Sequence, residues 1–487
     1  MASRTIAFDP VTVQRLFGHE AADDENPARL KEYYVKNAIY REVTAALPLR
    51  IVVGHKGIGK SALFKISIEE DRANGLLPIL IRPDDIAAVG KDVSDFLLAI
   101  RAWKEGLAEI ITNKALAEFG MDRSGIARSA QTASVRILDF LAGSLKDRLK
   151  VDTSLAKNVL LDKFLKSNRI TVYLDDLDRG WEGKKEDVKR LSALLNAVRD
   201  LSNDNPQLFF KIGLRSDVYY LVRTADESTD KLEGSVVWQR WSNHEILVLL
   251  VKRIETFFGR GVNESQLLST RQHVLARYLD PVMDSTYIGS GHWANAPTYR
   301  VLMSLIRKRP RDLVKLLTLA AKDAAAANKN KIGTANFQNV FAEYSEGRIQ
   351  DTINEYRSEM PDVERLIMSM KPSKKEKTTQ AGYVYTTQAL FEKLKSAEQS
   401  GAFRFASQKP ATPRDLATFL YKINFLTARK EGADGIIRKY FEESRYLSSS
   451  FVDFGFDWEI HPAYRWALQP DSPQDIFSKL RLSADDD

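Results

Sequence analysis

The chain contains no cysteine. Disulfide bridges, thiolate-bound zinc and cysteine nucleophiles are therefore excluded, and the composition suits a reducing compartment. Histidine is scarce, with six in 487 residues. The six are scattered without metal-ligand spacing, and His461, before Pro462 in an apolar stretch, reads as structural. Long apolar runs are also missing. The most apolar, Ile246-Leu247-Val248-Leu249-Leu250-Val251, stops at Lys252-Arg253, far short of the ~20 residues that span a bilayer. Residues 1–10 lack the apolar region of a signal peptide. The expectation is a soluble, cytoplasmic protein with no membrane partner. No internal repeat is visible, and the C-terminal third holds no nuclease or protease constellation. A guanine-reading signature is absent too: in Asn328-Lys329-Asn330-Lys331, Lys331 stands where the aspartate belongs.

What is present is globular, 44% hydrophobic and 28% charged, at a length that suggests roughly two to four domains. The net charge of +7 is uneven. Within 301–335, Arg307, Lys308, Arg309, Arg311, Lys315, Lys322, Lys329 and Lys331 face only Asp312 and Asp323. Such a cluster suits nucleotide phosphates, nucleic acid or an acidic partner, or else a solvated helix face.

Gly54-His55-Lys56-Gly57-Ile58-Gly59-Lys60-Ser61 spells G-x-x-x-x-G-K-S, the Walker A phosphate loop. The apolar run ending in Ile51-Val52-Val53 precedes it, and a helical pattern from Ala62 follows, which is the context that gives the motif its meaning. The glycines let successive N–H groups turn towards phosphate oxygens, and the helix adds its positive end. Gly54, Lys56, Gly57, Ile58, Gly59, Lys60, Ser61 and Ala62 are the candidate nucleotide contacts. Lys60 would reach the β- and γ-phosphates, and Ser61 would hold Mg²⁺.

The second half of the site is the strand Ile170–Leu174 followed by Asp175-Asp176-Leu177-Asp178-Arg179, a Walker B pattern. Asp175 is the candidate Mg²⁺ ligand. Asp176 stands where a hydrolytic enzyme keeps a carboxylate to orient and deprotonate water. Arg215, at the end of the run Leu208–Leu214, is a candidate γ-phosphate sensor; an ion pair with an aspartate of 175–178 would also account for it. ATP is the expected nucleotide.

Further strands are expected at 78–81 and, weakly, 236–238. Helical patterns alternate with these runs, so the expected fold is α/β with a parallel sheet covered on both faces. The expected order is an N-terminal helical segment at 1–48, a P-loop core at 49–242 with a helical insertion at about 86–165, a helical lid at 243–335, and a mainly α C-terminal domain at 336–487. Helices at 385–396 and 413–428 and a hairpin near 451–460 make a winged helix one candidate form for that last domain. Lys371–Thr379 reads as an exposed loop and Asp485–Asp487 as a frayed tail.

The two Walker motifs and Arg215-Ser216-Asp217 resemble the KAP-type P-loop ATPases, which group with the STAND and AAA+ branch of the additional-strand class. The resemblance covers about residues 45–325. KAP proteins also carry a long insertion between the motifs, often membrane-spanning; the one here is too charged for that. The resemblance implies that a lid residue reaches the phosphates, with Arg311 of Arg309-Pro310-Arg311-Asp312 in that place. Pro413-Arg414-Asp415-Leu416 repeats the same letters behind Thr412, where helix capping explains them. It further implies an N-terminal segment over the adenine, with Phe17-Gly18 as candidates (a glycine-capped helix end explains them equally). It implies a homo-oligomer with an arginine acting in trans, for which Arg179, Arg223 and Arg240 are available. Soluble bacterial members of the group suggest antiphage defence.

The leading functional expectation is an ATP-dependent molecular switch whose C-terminal unit senses or transmits, with a protein or nucleic acid as candidate partner. The alternative is an origin-recognition-like ATPase that binds nucleic acid through a C-terminal winged helix. A non-hydrolysing scaffold and a small-molecule kinase are weaker readings.

Overall fold

The computed structural model describes residues 6–91, 93–118, 169–181, 183–225, 227–374, 376, 382–432, 435–447, 455–468, 476 and 480–484. They form two compact units. A sheet unit comprises Lys36–His55 and Lys60–Gln239, and a helical unit comprises Met1–Val35, Lys56–Gly59 and Arg240–Asp487.

The helical unit begins with α1 (Pro10–Phe17) and α2 (Pro27–Tyr33). Each starts on an acid or amide cap followed by proline: Asp9 accepts from Val11 and Thr12 N–H, and Asn26 from Ala28 and Arg29 N–H. Such caps satisfy the free donors of a helix start.

The sheet unit follows: α3 (Ala38–Thr44), β1 (Leu49–Gly54), α4 (Lys60–Ala73), β2 (Leu77–Ile81), α5 (Phe96–Glu118), β3 (Ile170–Leu174), α6 (Lys185–Asp204), β4 (Leu208–Arg215), α7 (Ser216–Ala225) and β5 (Val236–Trp238). The five strands are parallel, in the order β2-β3-β4-β1-β5. One strand, β4, lies between the loop-bearing β1 and the acid-bearing β3, so the fold is α/β with a P-loop core of the additional-strand type. The strands are predominantly apolar because both faces are covered. Ile51, Val53, Val172, Leu174, Phe210 and Ile212 are buried in one core with Trp103, Leu107 and Ile111 of α5 and Leu194, Val198 and Leu201 of α6. The helical spacing at 96–111 is thus realised in α5. The further insertion helices expected around 135–141 lie outside the described residues.

The helical unit resumes with α8 (Asn243–Phe257), α9 (Glu264–Ser269), α10 (Gln272–Leu275), the two-stranded ribbon β6 (Thr286–Ile288) and β7 (Ala294–Pro297), α11 (Thr298–Leu305), α12 (Pro310–Ala326), α13 (Thr334–Tyr356) and α14 (Val363–Ser369). The chain closes with β8 (Val384–Tyr385), α15 (Thr387–Glu398), α16 (Pro413–Lys422), β9 (Leu426–Gly432), β10 (Gly435–Lys439), β11 (Asp457–Ile460) and α17 (Arg465–Leu468). Strands 8–11 form an antiparallel sheet in the order β10-β9-β11-β8. Helix, strand, two helices and a hairpin is the order of a winged helix.

Two local expectations are corrected. The helix beginning at 413 ends at Lys422, because Asn424 adopts a left-handed conformation (φ 57°) and the chain then extends into β9. The hairpin is formed by β9 and β10, while 457–460 is an inner strand between β9 and β8. Among the described residues no helix is long and apolar enough to cross a membrane.

Candidate functional site

Within the sheet unit, the end of β1, the start of α4 and the end of β3 bring the Walker residues together. Lys60 is the first residue of α4, and its ammonium donates to the carbonyls of Gly54 (2.9 Å) and His55 (3.3 Å). The loop glycines are needed as such: Gly57 has φ 79° and Gly59 φ 104°, where a side chain would be strained. His55 is buried, and its Nδ1 lies 3.1 Å from the Ser216 hydroxyl.

Asp175 follows β3. Its carboxylate accepts from Asp176 N–H at 3.0 Å and lies close enough to the Ser61 side chain to be influenced by it. Burial, then the charge of Asp176, push the Asp175 carboxyl up to about 6, against Ser61 and Lys60, which pull it down. The position exists because β4 carries Gly213. A Cβ there would meet Asp175 Oδ1 at 3.0 Å and the Phe64 ring at 3.1 Å. A hydroxyl and a carboxylate side by side form the hard oxygen donor set that suits Mg²⁺, so Ser61 and Asp175 fit that ion. Asp176 is exposed and left-handed, with φ 55°. For a residue with a side chain this conformation is uncommon, and such strain gathers at functional positions.

Arg215 ends β4. It forms a two-point ion pair with Asp217 (3.0 and 2.5 Å) and a further contact with Asp178 (3.2 Å). The ion-pair explanation of this residue is therefore realised. Arg223 is paired with Asp230 and Glu233, whereas Arg179 and Arg240 are exposed.

Within the helical unit, the middle of the loop meets the start of α12. The Arg311 side chain packs on Gly57, where a Cβ would lie 3.0 Å from Arg311 Cβ and Cδ, and its Nε donates to Glu20 O at 3.1 Å. The Trp241 indole donates to Ile58 O at 2.8 Å. Lys56 has an exposed side chain but a held peptide: its N–H donates to Glu355 Oε1 (3.0 Å), and its carbonyl accepts from Arg309 Nη1 (3.3 Å). Phe17 is fully buried, its carbonyl accepts from Arg253, and Gly18 caps α1 with φ 79°.

The two Pro-Arg-Asp-Leu segments do different work. At 412–415, Thr412 and Asp415 form a reciprocal capping box. At 310–313, Asp312 is fully buried against Arg307 (2.7 and 2.9 Å) and Arg348 (2.6 Å). Burial alone would raise its carboxyl, but these arginines hold it far below the usual range. The basic cluster of 301–335 is thus partly interior: Arg307 and Arg309 are buried in ion pairs, and Lys308 and Lys315 pair with Glu443 and Glu20. Sequence reasoning missed Glu355 and the pairing role of Arg309, because Glu355 belongs to no local motif. Among the described residues no group of three His, Asp or Glu side chains forms a further metal centre.

Comparison with known proteins gives the following similarities. The profile of one family, the FunZ-associated C-terminal helical domain, matches residues 245–353. A relative in Escherichia coli (strain K12), an 80.3 kDa protein assigned to transposon gamma-delta, is 22% identical over 510 residues, covering 94% of this chain and 69% of that protein. Among solved structures, a Walker-type ATPase of Pyrococcus abyssi matches with TM-score 0.43 and 13% identity over 89% of this chain and 95% of that one. The Aeropyrum pernix ORC2 protein matches with TM-score 0.41 and 11% identity over 93% and 91%. The Aeropyrum pernix ORC1 protein, solved in complex with DNA, matches with TM-score 0.35 and 12% identity over 91% and 95%.

Proposed function

We propose that the chain binds ATP with Mg²⁺ and hydrolyses it as a molecular switch. The observation that carries this reading is the placement of the Ser61 side chain of the phosphate loop beside the Asp175 carboxyl at the end of β3, in a place that Gly213 leaves clear. Loop amides and Lys60 would hold the triphosphate, and Ser61 and Asp175 the Mg²⁺, which supplies neutralisation of the phosphate charge when bound. Asp176, exposed beside Asp175, would orient and deprotonate the attacking water. Arg215, held by Asp217 and Asp178, and Arg311, lying on Gly57, would report the γ-phosphate. Phe17-Gly18 near the adenine, a homo-oligomer with an arginine in trans, and the KAP/STAND assignment with its antiphage role belong to the same proposal and rest on motif resemblance.

The test compares binding and multiple-turnover hydrolysis. Lys60→Ala should abolish binding. Asp176→Asn should keep ATP binding while turnover falls about 100- to 10,000-fold. Wild-type turnover in Asp176→Asn, or no ATP binding by the wild type, would sink the reading.

A second reading, a nucleic-acid-dependent ATPase, is favoured by the winged-helix element order of residues 363–439. It requires turnover stimulated by DNA with a steep salt dependence; flat turnover across DNA and salt titrations removes it.

A further inference from the structure

We propose that Glu355 is an internal anion that latches the phosphate loop through Lys56 and Arg309, and that the γ-phosphate of a bound nucleotide competes with it, so that the latch sets the preference between ATP and ADP. This rests on the ATP-binding reading above.

Both polar groups of one loop residue are held by a single ion pair. Glu355 Oε1 accepts the Lys56 N–H, Glu355 Oε2 accepts from Arg309 Nη1 at 3.3 Å, and the same Nη1 donates to the Lys56 carbonyl. Glu355 and Arg309 are each 2% exposed. An amide of a phosphate loop is a donor suited to an anion, and here its acceptor is a carboxylate of the protein. Arg309 has capacity to spare: its Nε and Nη2 are buried and without a hydrogen-bond partner among the described residues. Such a group is costly unless another acceptor reaches it. A terminal phosphate has the charge and the oxygens to draw Arg309, and the same charge repels Glu355.

The latch is anchored on its far side. Arg348, Thr352 and Glu355 follow one face of α13. Arg348 binds Asp312, and Thr352 lies 3.1 Å from the Tyr464 hydroxyl, which accepts from Arg307 at 2.7 Å. A change at Lys56 therefore has a buried polar route along α13 to the segment that follows β11.

The experiment measures the affinities of ADP and of a non-hydrolysable ATP analogue for the wild type, Glu355→Gln and Arg309→Met, together with amide exchange of residues 345–356 in the wild type. Glu355→Gln keeps the shape and removes the charge, so the ratio of ATP-analogue to ADP affinity should rise. Arg309→Met should lower it. Both changes should fall within the roughly 5- to 150-fold typical of coupled sites. Because coupling is reciprocal, the ATP analogue should speed exchange of 345–356 relative to ADP. An unchanged ratio, an equal loss of both nucleotides, or identical exchange with either nucleotide overturns the latch. The exchange arm holds even if a variant does not fold. Failure of the wild type to bind either nucleotide overturns the ATP-binding reading instead.

Discussion

Lys211 is a cation inside a sheet. It lies on β4, 2% exposed, and donates to Ala45 O at 3.1 Å. Burial, then the charges of Arg169 and Arg50, push its ammonium down to about 7. Between that value and the ordinary 10.5, the unfolded chain holds a proton that the native chain lacks. This residue therefore adds stability as pH rises from about 7 to 10.5, by up to about 1.4 kcal/mol per pH unit, and below 7 its burial cost is fully present. Urea unfolding should show Lys211→Met gaining less stability than the wild type between pH 7 and pH 9, a difference of about 1–3 kcal/mol. Equal pH slopes would refute the assignment. At this scale the sequence was legible wherever chemistry is local. Gly57, Gly59, Ser61 and Asp175 announce themselves by spacing, because the loop's curvature and the acid after a buried strand are properties of neighbours. Glu355 and Arg309 were illegible as a pair because their meeting is made by tertiary packing.

Among the polar contacts between elements of the sheet unit, one ties the strand that leads to Asp175 to the helix that begins at Lys60. Tyr173 of β3 donates to Asp71 of α4 at 2.7 Å, and its hydroxyl lies 2.7 Å from Ser67. Burial, then the charge of Asp71, raise the Tyr173 phenol well above its ordinary value, so the hydroxyl remains a donor. Tyr173→Phe leaves Asp71 short of that donor and should cost about 1–3 kcal/mol of unfolding free energy. It should also weaken Mg²⁺-dependent nucleotide binding, since α4 begins at Lys60 and β3 ends at Asp175. An unchanged melting temperature in differential scanning calorimetry would count against this tie. The strands were readable as elements because burial on both faces makes their runs predominantly apolar. Past Lys422 the apolar residues continue through Phe425 and Leu426, so periodicity alone carried the helix on; the left-handed turn at Asn424 is what stops it. The ribbon of β6 and β7 left no signal, its residues being largely exposed.

For the molecule as a whole, the proposed ligand should act first on the unit that holds Lys60, Ser61 and Asp175. A non-hydrolysable ATP analogue with Mg²⁺ at 100 times its Kd should stabilise that unit by about 2.7 kcal/mol. Slower amide exchange should then be seen in β1, β3 and β4, and the effect should be lost in Lys60→Ala. Protection that persists in the variant would place the ligand elsewhere. The expected charged face of 301–335 shows why whole-molecule properties resist reading from composition: a count of lysines and arginines does not tell which of them, like Arg307 and Arg309, fold inward against acids.

The helical unit is discontinuous in sequence: Met1–Val35 belongs with Arg240–Asp487, and most of the sheet unit is encoded between them. A ribosome that adds 5–20 residues per second would take roughly 10–40 seconds to travel from one part to the other. Over that interval Leu16 and Phe17, which end fully buried, have been made before Arg253, whose guanidinium holds the Phe17 carbonyl. The nascent chain thus completes the strands of its sheet unit before α1 and α2 can meet the later residues on which they pack.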